Sequence, residues 1–178
     1  AADVLRIDLT LVESFTDQFR IDMDLLEDGL GRLVDISGTG LLDATAQAEL
    51  VRSRKLSPRE LVDAAITRLE RCNPSLNAVI HPALERARER AGAGTLEQGP
   101  FRGVPFLMKD IGGEEAGQPV HAGMAALKQA GWRASADSGF TRKTLAAGLV
   151  SLGRTNTPEL ALLPTTEPKA YGATRNPW

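Results

Sequence analysis

From Ser57 the pattern of apolar and polar positions turns helical, and local signals bracket the turn. Ser57 can cap, Pro58 suits a first helical position, and Glu60 closes a capping box three residues on. Behind it, Leu61, Val62, Ala65, Ile66 and Leu69 recur at helical spacing and predict one buried face, with Asn73-Pro74 as its end. Upstream, Asp43 predicts the N-cap of a helix reaching about Arg54. Downstream, Leu76 to Ile80 reads as a short extended segment. A further helix is expected from Pro82 through Arg90, with His81 at its cap and Gly92 and Gly94 as its stop. The continuous apolar runs Val104–Met108 and Leu149–Leu152 predict two fully buried strands. Between them, the glycine-rich stretch Gly112–Gly123 predicts a loop. Asp137-Ser138 caps a helix that carries Phe140, Thr144, Leu145 and Ala147 and stops at Gly148.

Strand, helices, strand implies a crossover connection, hence an α/β fold with helices on a mixed or mostly parallel, incomplete sheet. Ligands of such sheets collect at the carboxyl ends of strands. Lys109 and the turn Arg154–Thr157 both fall there, so they are expected on one face although Arg154 lies 45 residues beyond Lys109. Residues 1–42 are harder to read. Leu9, Leu11, Val12 and Phe15, then Phe19, Ile21, Met23, Leu25 and Leu26, fit strand or helix. The chain therefore divides into an N-terminal segment, 1–42, of unclear assignment and a domain portion, 43–178.

Composition narrows the function classes. The 178 residues carry 21 Lys and Arg against 23 Asp and Glu, and only 4% are aromatic. Balanced charge without blocks, and few rings, speak against nucleic acid as a partner. No apolar run approaches the ~18 residues of a spanning helix, and a signal-peptide layout is missing, so no membrane partner and a cytoplasmic location are expected. Cys72 is the single cysteine, expected as a small buried hydrophobe at a helix end in a reducing compartment. His81 and His121 stand 40 residues apart without ligand-spaced companions, so neither metal nor cofactor is expected; His121 reads as surface or loop packing, with substrate contact as its other reading. Ser37-Gly38-Thr39-Gly40 lacks the Lys-Ser/Thr of a phosphate-binding loop. The Ala1-Ala2 start and the Trp178 end both read as cuts.

Taken alone, Lys109 after a buried strand is either a salt-bridged structural charge or a base kept neutral by its surroundings. Four ordered blocks carry a resemblance that separates these. They are Asp43–Val51 with Ser57-Pro58-Arg59-Glu60-Leu61; Pro100–Pro105 with Lys109-Asp110; Gly153-Arg154-Thr155-Asn156-Thr157-Pro158-Glu159; and Thr165–Pro168 with Tyr171-Gly172-Ala173-Thr174-Arg175-Asn176-Pro177-Trp178. From about Asp43 onward the chain resembles the N-terminal part of amidase signature enzymes, in the branch that includes 6-aminohexanoate cyclic-dimer hydrolases and related aliphatic amidases.

The resemblance implies hydrolysis of a small-molecule amide by a Ser–cis-Ser–Lys triad, with Lys109 as the base. A lysine serves as base near neutral pH only where burial favours its neutral amine. The resemblance also implies that Asp110 holds the turn after Lys109 and that Asn156 lies near the site. Ala161, Leu162 and Leu163 would line an apolar acyl pocket, with ordinary core as their other reading. A homo-oligomer of the full-length enzyme stays open. The pattern then fails: no Gly-Gly-Ser-Ser run occurs, and the eight serines, at 14, 37, 53, 57, 75, 135, 138 and 151, sit on no nucleophile elbow. Ser138 reads as a helix cap. This chain alone is thus expected to hold one triad member and to be inactive. Two other readings stand beside this one. One is an amidotransferase subunit, whose usual Met-Asp-Glu-Phe is Thr157-Pro158-Glu159-Leu160 here; the other is a non-catalytic interaction module.

Overall fold

Local capping fixes where three of the helices begin. The structure, a computed structural model, describes residues 38–177. The apolar positions from Leu9 to Leu26, Ser37 and Trp178 lie outside the described residues. Helix α1 (Ala44–Arg52) starts at Asp43, whose carboxylate accepts from the Ala46 N–H at 2.8 Å. Helix α2 (Pro58–Leu76) starts with the full capping box: Ser57 Oγ accepts from the Glu60 N–H, and the Glu60 carboxylate accepts from the Ser57 N–H. Its inward face buries Leu61, Val62 and Ile66 completely, each contributing roughly 1.5–3 kcal/mol.

Asn73-Pro74 does not end α2. Proline's backbone fits a helix, and the last turn runs on to Leu76. The stop comes at Asn77, in the left-handed conformation with φ 51°. Asn73 instead organises the segment beyond the helix: its Oδ1 accepts from the N–H groups of Ala78 and Val79, and its Nδ2 donates to the Val79 carbonyl. Strand β1 (Val79–Pro82) therefore begins later than the expected segment from Leu76. His81 is a strand residue, not a helix cap. Pro82 ends the strand rather than opening the helix, which a proline can do on an edge strand. Helix α3 (Leu84–Gly92) begins after Ala83 without a side-chain cap.

Strand β2 (Pro105–Lys109), helices α4 (Ala125–Gln129) and α5 (Gly139–Ala146), and strand β3 (Val150–Thr155) come next in the chain. The sheet order is β1-β3-β2, with β2 parallel and β1 antiparallel to β3. The α/β class holds, and the sheet is mixed. Gly153 is required at the β1 crossing: it has φ +141°, and a Cβ there would stand 2.3 Å from the His81 carbonyl oxygen. The core joins Val62, Ala65 and Ile66 of α2 and Ala87 and Ala91 of α3 to Leu96, Val150 and Leu152.

Three burial expectations change. β2 is an edge strand, so Phe106 and Leu107 are only half covered and Met108 alone is fully buried. Cys72 is exposed, on an open apolar groove that it lines with Leu69, Leu76 and Phe106. Phe140 is exposed, and Thr141 and Thr144 fill the inward face of α5. Ser138 caps α5, accepting from the Thr141 N–H at 3.1 Å.

Candidate functional site

The parallel pairing of β2 with β3 sets Lys109 opposite Thr155, so both strands deliver their carboxyl ends to one edge. Arg154 locks that edge. Its guanidinium donates to the Lys109 carbonyl at 2.9 Å and the Gly113 carbonyl at 2.7 Å, and its Nε lies 3.7 Å from Asp110 Oδ1. Burial lowers the pKa of Arg154, and the carboxylates of Asp110, Glu114 and Glu115 oppose that shift.

Asp110 is wholly buried. Its Oδ1 accepts from the His121 N–H at 3.0 Å, its Oδ2 from the Gly123 N–H at 3.2 Å, and its backbone N–H donates to the Thr155 carbonyl. The carboxylate thereby folds the 112–123 loop back over the strand ends. A carboxylate so engaged serves as a structural acceptor. Lys109 is its opposite: the side chain is exposed and its amine has no hydrogen bond or ion pair among the described residues.

Two histidines and the single tyrosine of the chain meet behind this turn. Tyr171 Oη lies 3.1 Å from His81 Nε2 and also bonds His121 Nδ1. His121 Nε2 lies 3.2 Å from the Trp132 carbonyl. A carbonyl only accepts, so in the singly protonated ring Nε2 carries the hydrogen and Nδ1 accepts a hydrogen bond from the tyrosine hydroxyl. The phenol oxygen then accepts from His81 Nε2, which also faces Asp110 Oδ1 at 3.7 Å. Burial pushes His81 down to about 4 against the pull of Asp110. Burial, reinforced by the Asp110 charge, pushes Tyr171 up to about 12. Lys128 closes the outer side, with Nζ 4.2 Å from the Tyr171 ring centre.

Asn156 is buried and ties the chain's final stretch to the strand edge. Its Nδ2 donates to the Gly172 carbonyl and to Thr174 Oγ1, both at 3.0 Å, while its Oδ1 accepts from the Thr157 N–H. Asn77 Nδ2 grips the same stretch at the Tyr171 and Ala173 carbonyls.

Ala161, Leu162 and Leu163 form an exposed apolar turn, with Leu162 76% and Leu163 63% accessible. Leu160 and Ala161 hold φ values of 52° and 56°, a left-handed pair that non-glycine residues adopt at a cost. The structure thus gathers Lys109, Asp110 and Asn156 at one sheet edge and sets the 161–163 turn just beyond the strand β3 that feeds it. His81, His121 and Tyr171 were not assigned to the site from sequence. The signal available was compositional: the only tyrosine and both histidines of an aromatic-poor chain converge on one carboxylate. Among the described residues no group of three or more His, Cys, Asp or Glu side chains is arranged to hold a metal ion, and no helix is long and apolar enough to cross a membrane.

Comparison with known proteins bears on this geometry. Over 136 residues the chain is 48% identical to 6-aminohexanoate-cyclic-dimer hydrolase of Paenarthrobacter ureafaciens, covering 76% of this chain and 27% of that protein. It is 42% identical over 139 residues to the putative amidase AmiC of Mycobacterium tuberculosis, covering 78% and 29%. A solved structure of 6-aminohexanoate cyclic dimer hydrolase complexed with substrate superimposes with a TM-score of 0.72 at 48% identity, covering 77% of this chain and 28% of that one. The chain therefore spans somewhat over a quarter of the length of the curated relatives it matches. The sequence profile of the amidase family matches residues 60–178, well over half of the chain, and the chain belongs to the amidase family.

Proposed function

We propose that this chain is the lysine-bearing portion of a C–N hydrolase acting on small-molecule amides, with Lys109 as the general base. The observation that carries the reading is the placement of an exposed amine at the carboxyl end of β2, beside the end of β3, in a chain of the amidase family. In the reaction the neutral amine takes a proton from a bridging serine, which activates a second, nucleophilic serine toward the amide carbonyl. The proton then passes to the leaving nitrogen, and water releases the acyl group. Both serines come from polypeptide outside these residues. Covering the strand edge with that polypeptide would desolvate Lys109, and burial favours the uncharged form that a base requires. Arg154 and Asp110 hold the main chain on either side so that the amine is presented at a fixed point.

The exposed turn Ala161-Leu162-Leu163 supplies one apolar wall for the acyl group in this reading, which suits an aliphatic chain. The names of the relatives, hydrolases of a cyclic dimer of 6-aminohexanoate, agree with that choice. Lys109→Ala in the complete enzyme should lower kcat by roughly 10²–10⁴-fold, the usual scale for a positioned base. Lys109→Arg should be nearly as damaging, because guanidinium keeps its proton. A Lys109→Arg enzyme within about threefold of wild type would defeat the assignment. The 178-residue chain alone should give no band with a serine-reactive fluorophosphonate.

A further inference from the structure

A polar cavity lies away from the Lys109 edge. It has a volume of about 430 Å³ and is walled by the C-terminal end of α1 and the Gln98–Arg102 turn. That size falls within the roughly 300–1,000 Å³ of small-molecule sites. Arg52, Arg54 and Arg102 line it together with Gln98, and no carboxylate belongs to the wall. In a chain of net charge −2, this is a local excess of positive charge. Arg52 has one side-chain partner among the described residues, the exposed Glu49. Arg54 has no side-chain partner among the described residues, and the Arg102 Nε is buried without a hydrogen bond.

Two backbone features hold these groups in place. Arg54 closes α1 with φ 59°, the left-handed position that helices usually give to glycine. A charged side chain kept at a strained position asks for a reason. Helix-dipole complementarity is one, but the carbonyls of the last turn already have partners. The Glu49 carbonyl accepts from Ser53, that of Leu50 from Lys55, and that of Val51 from the Arg54 N–H. The turn bearing Arg102 is packed backbone against backbone. Phe101 and Gly103 N–H groups donate to the Ala147 and Gly148 carbonyls, and a Cβ on Gly99 would stand 2.2 Å from the Ala147 carbonyl carbon. The wall is therefore pre-set rather than formed on binding.

We propose that this cavity is a binding site for an anion carrying a phosphoryl group. Guanidinium forks match terminal phosphate oxygens in pairs, and a phosphoryl group offers enough charge and oxygens to engage three of them. A monocarboxylate would satisfy one fork and leave the other charges unanswered. The cavity exceeds what a lone phosphate needs, which leaves room for an attached organic group.

The test is isothermal titration of the complete protein with inorganic phosphate, phenyl phosphate and succinate at one ionic strength, with Arg102→Gln and Arg54→Gly beside wild type. Both phosphates should bind saturably and more tightly than succinate. Each variant should weaken them by at least about tenfold, the scale of one charge-assisted contact. Phenyl phosphate tighter than inorganic phosphate would identify an organic phosphate as the ligand, and equal affinity would identify the free ion; either supports the site. Arg54→Gly also relieves the left-handed strain, so it should melt at or above the wild-type temperature while losing the phosphate response. That separates binding from folding. Phosphate held no more tightly than succinate, or held equally by wild type and both variants, would overturn the proposal.

Discussion

The two charged regions of this chain answer their charges in opposite ways. Around Asp110 the charges have been met by opposite charges and by hydrogen bonds, although the Arg154 Nε itself faces the carboxylate only at ion-pair distance, 3.7 Å. The carboxylate accepts from two loop N–H groups and faces Arg154 and His81, and Tyr171 serves both histidines. Around Arg102 the charges face an open cavity with no acid in its wall. Buried polar groups are costly unless partnered, so a saturated cluster marks a part of the scaffold and an unsaturated one marks a place where a partner arrives. The same contrast separates neighbours in sequence: Asp110 is spent on holding the turn, and the exposed Lys109 amine has no partner among the described residues.

The comparison breaks most visibly at Asp110. Asp110→Ala strands the buried Arg154 charge and two backbone N–H groups, and should destabilise by about 3–5 kcal/mol in urea denaturation. A loss under about 1 kcal/mol would mean that the cluster does not hold the scaffold together. Next comes pH. His81 titrates near 4 in the folded chain and near its ordinary 6.5 when unfolded. Between those values the unfolded chain binds more protons, so His81 gives no penalty above about 6.5 and stability falls as pH drops toward 4. The loss should reach up to about 3 kcal/mol, and His81→Phe should flatten that part of the profile. Tyr171→Phe leaves two ring nitrogens without their partner and should cost about 1–3 kcal/mol, seen as a lower denaturation midpoint. The smallest effect sharpens the other side. Gln98→Glu supplies the acid that the arginine cavity lacks. Stability should stay within about 0.5–1 kcal/mol of wild type, with any change a gain, and phosphate binding should disappear.

Much of this was legible wherever the determinant is local. Caps at Asp43, Ser57 and Ser138 lie within three residues of what they cap, and each forms as read. The parallel pair β2 and β3 is the outcome of two apolar runs joined through helices. Boundaries set by distant contacts were not legible. Pro74 stays inside α2, and Asn77 ends the helix where its side chain grips Tyr171 and Ala173 far along the chain. His81 stands in a strand because Gly153, on β3, lets the backbones approach. Lys109, Asp110 and Asn156 could be placed at one edge from strand order alone. The Tyr171 relay could not, because nothing in the local pattern ties residue 81 to residue 171.

The grip of Asn77 on the final stretch sets a timetable for biosynthesis. Its partner Tyr171 lies 94 residues later, so the end of α2 is finished well before the groups that close over it exist. At roughly 5–20 residues per second, a nascent chain waits about 5–20 s between the two. Through that interval α2 and α3 can meet, but the β3 edge and the Asp110 turn lack the stretch that covers them. Final closure is thus assigned to the last residues of this region to leave the ribosome.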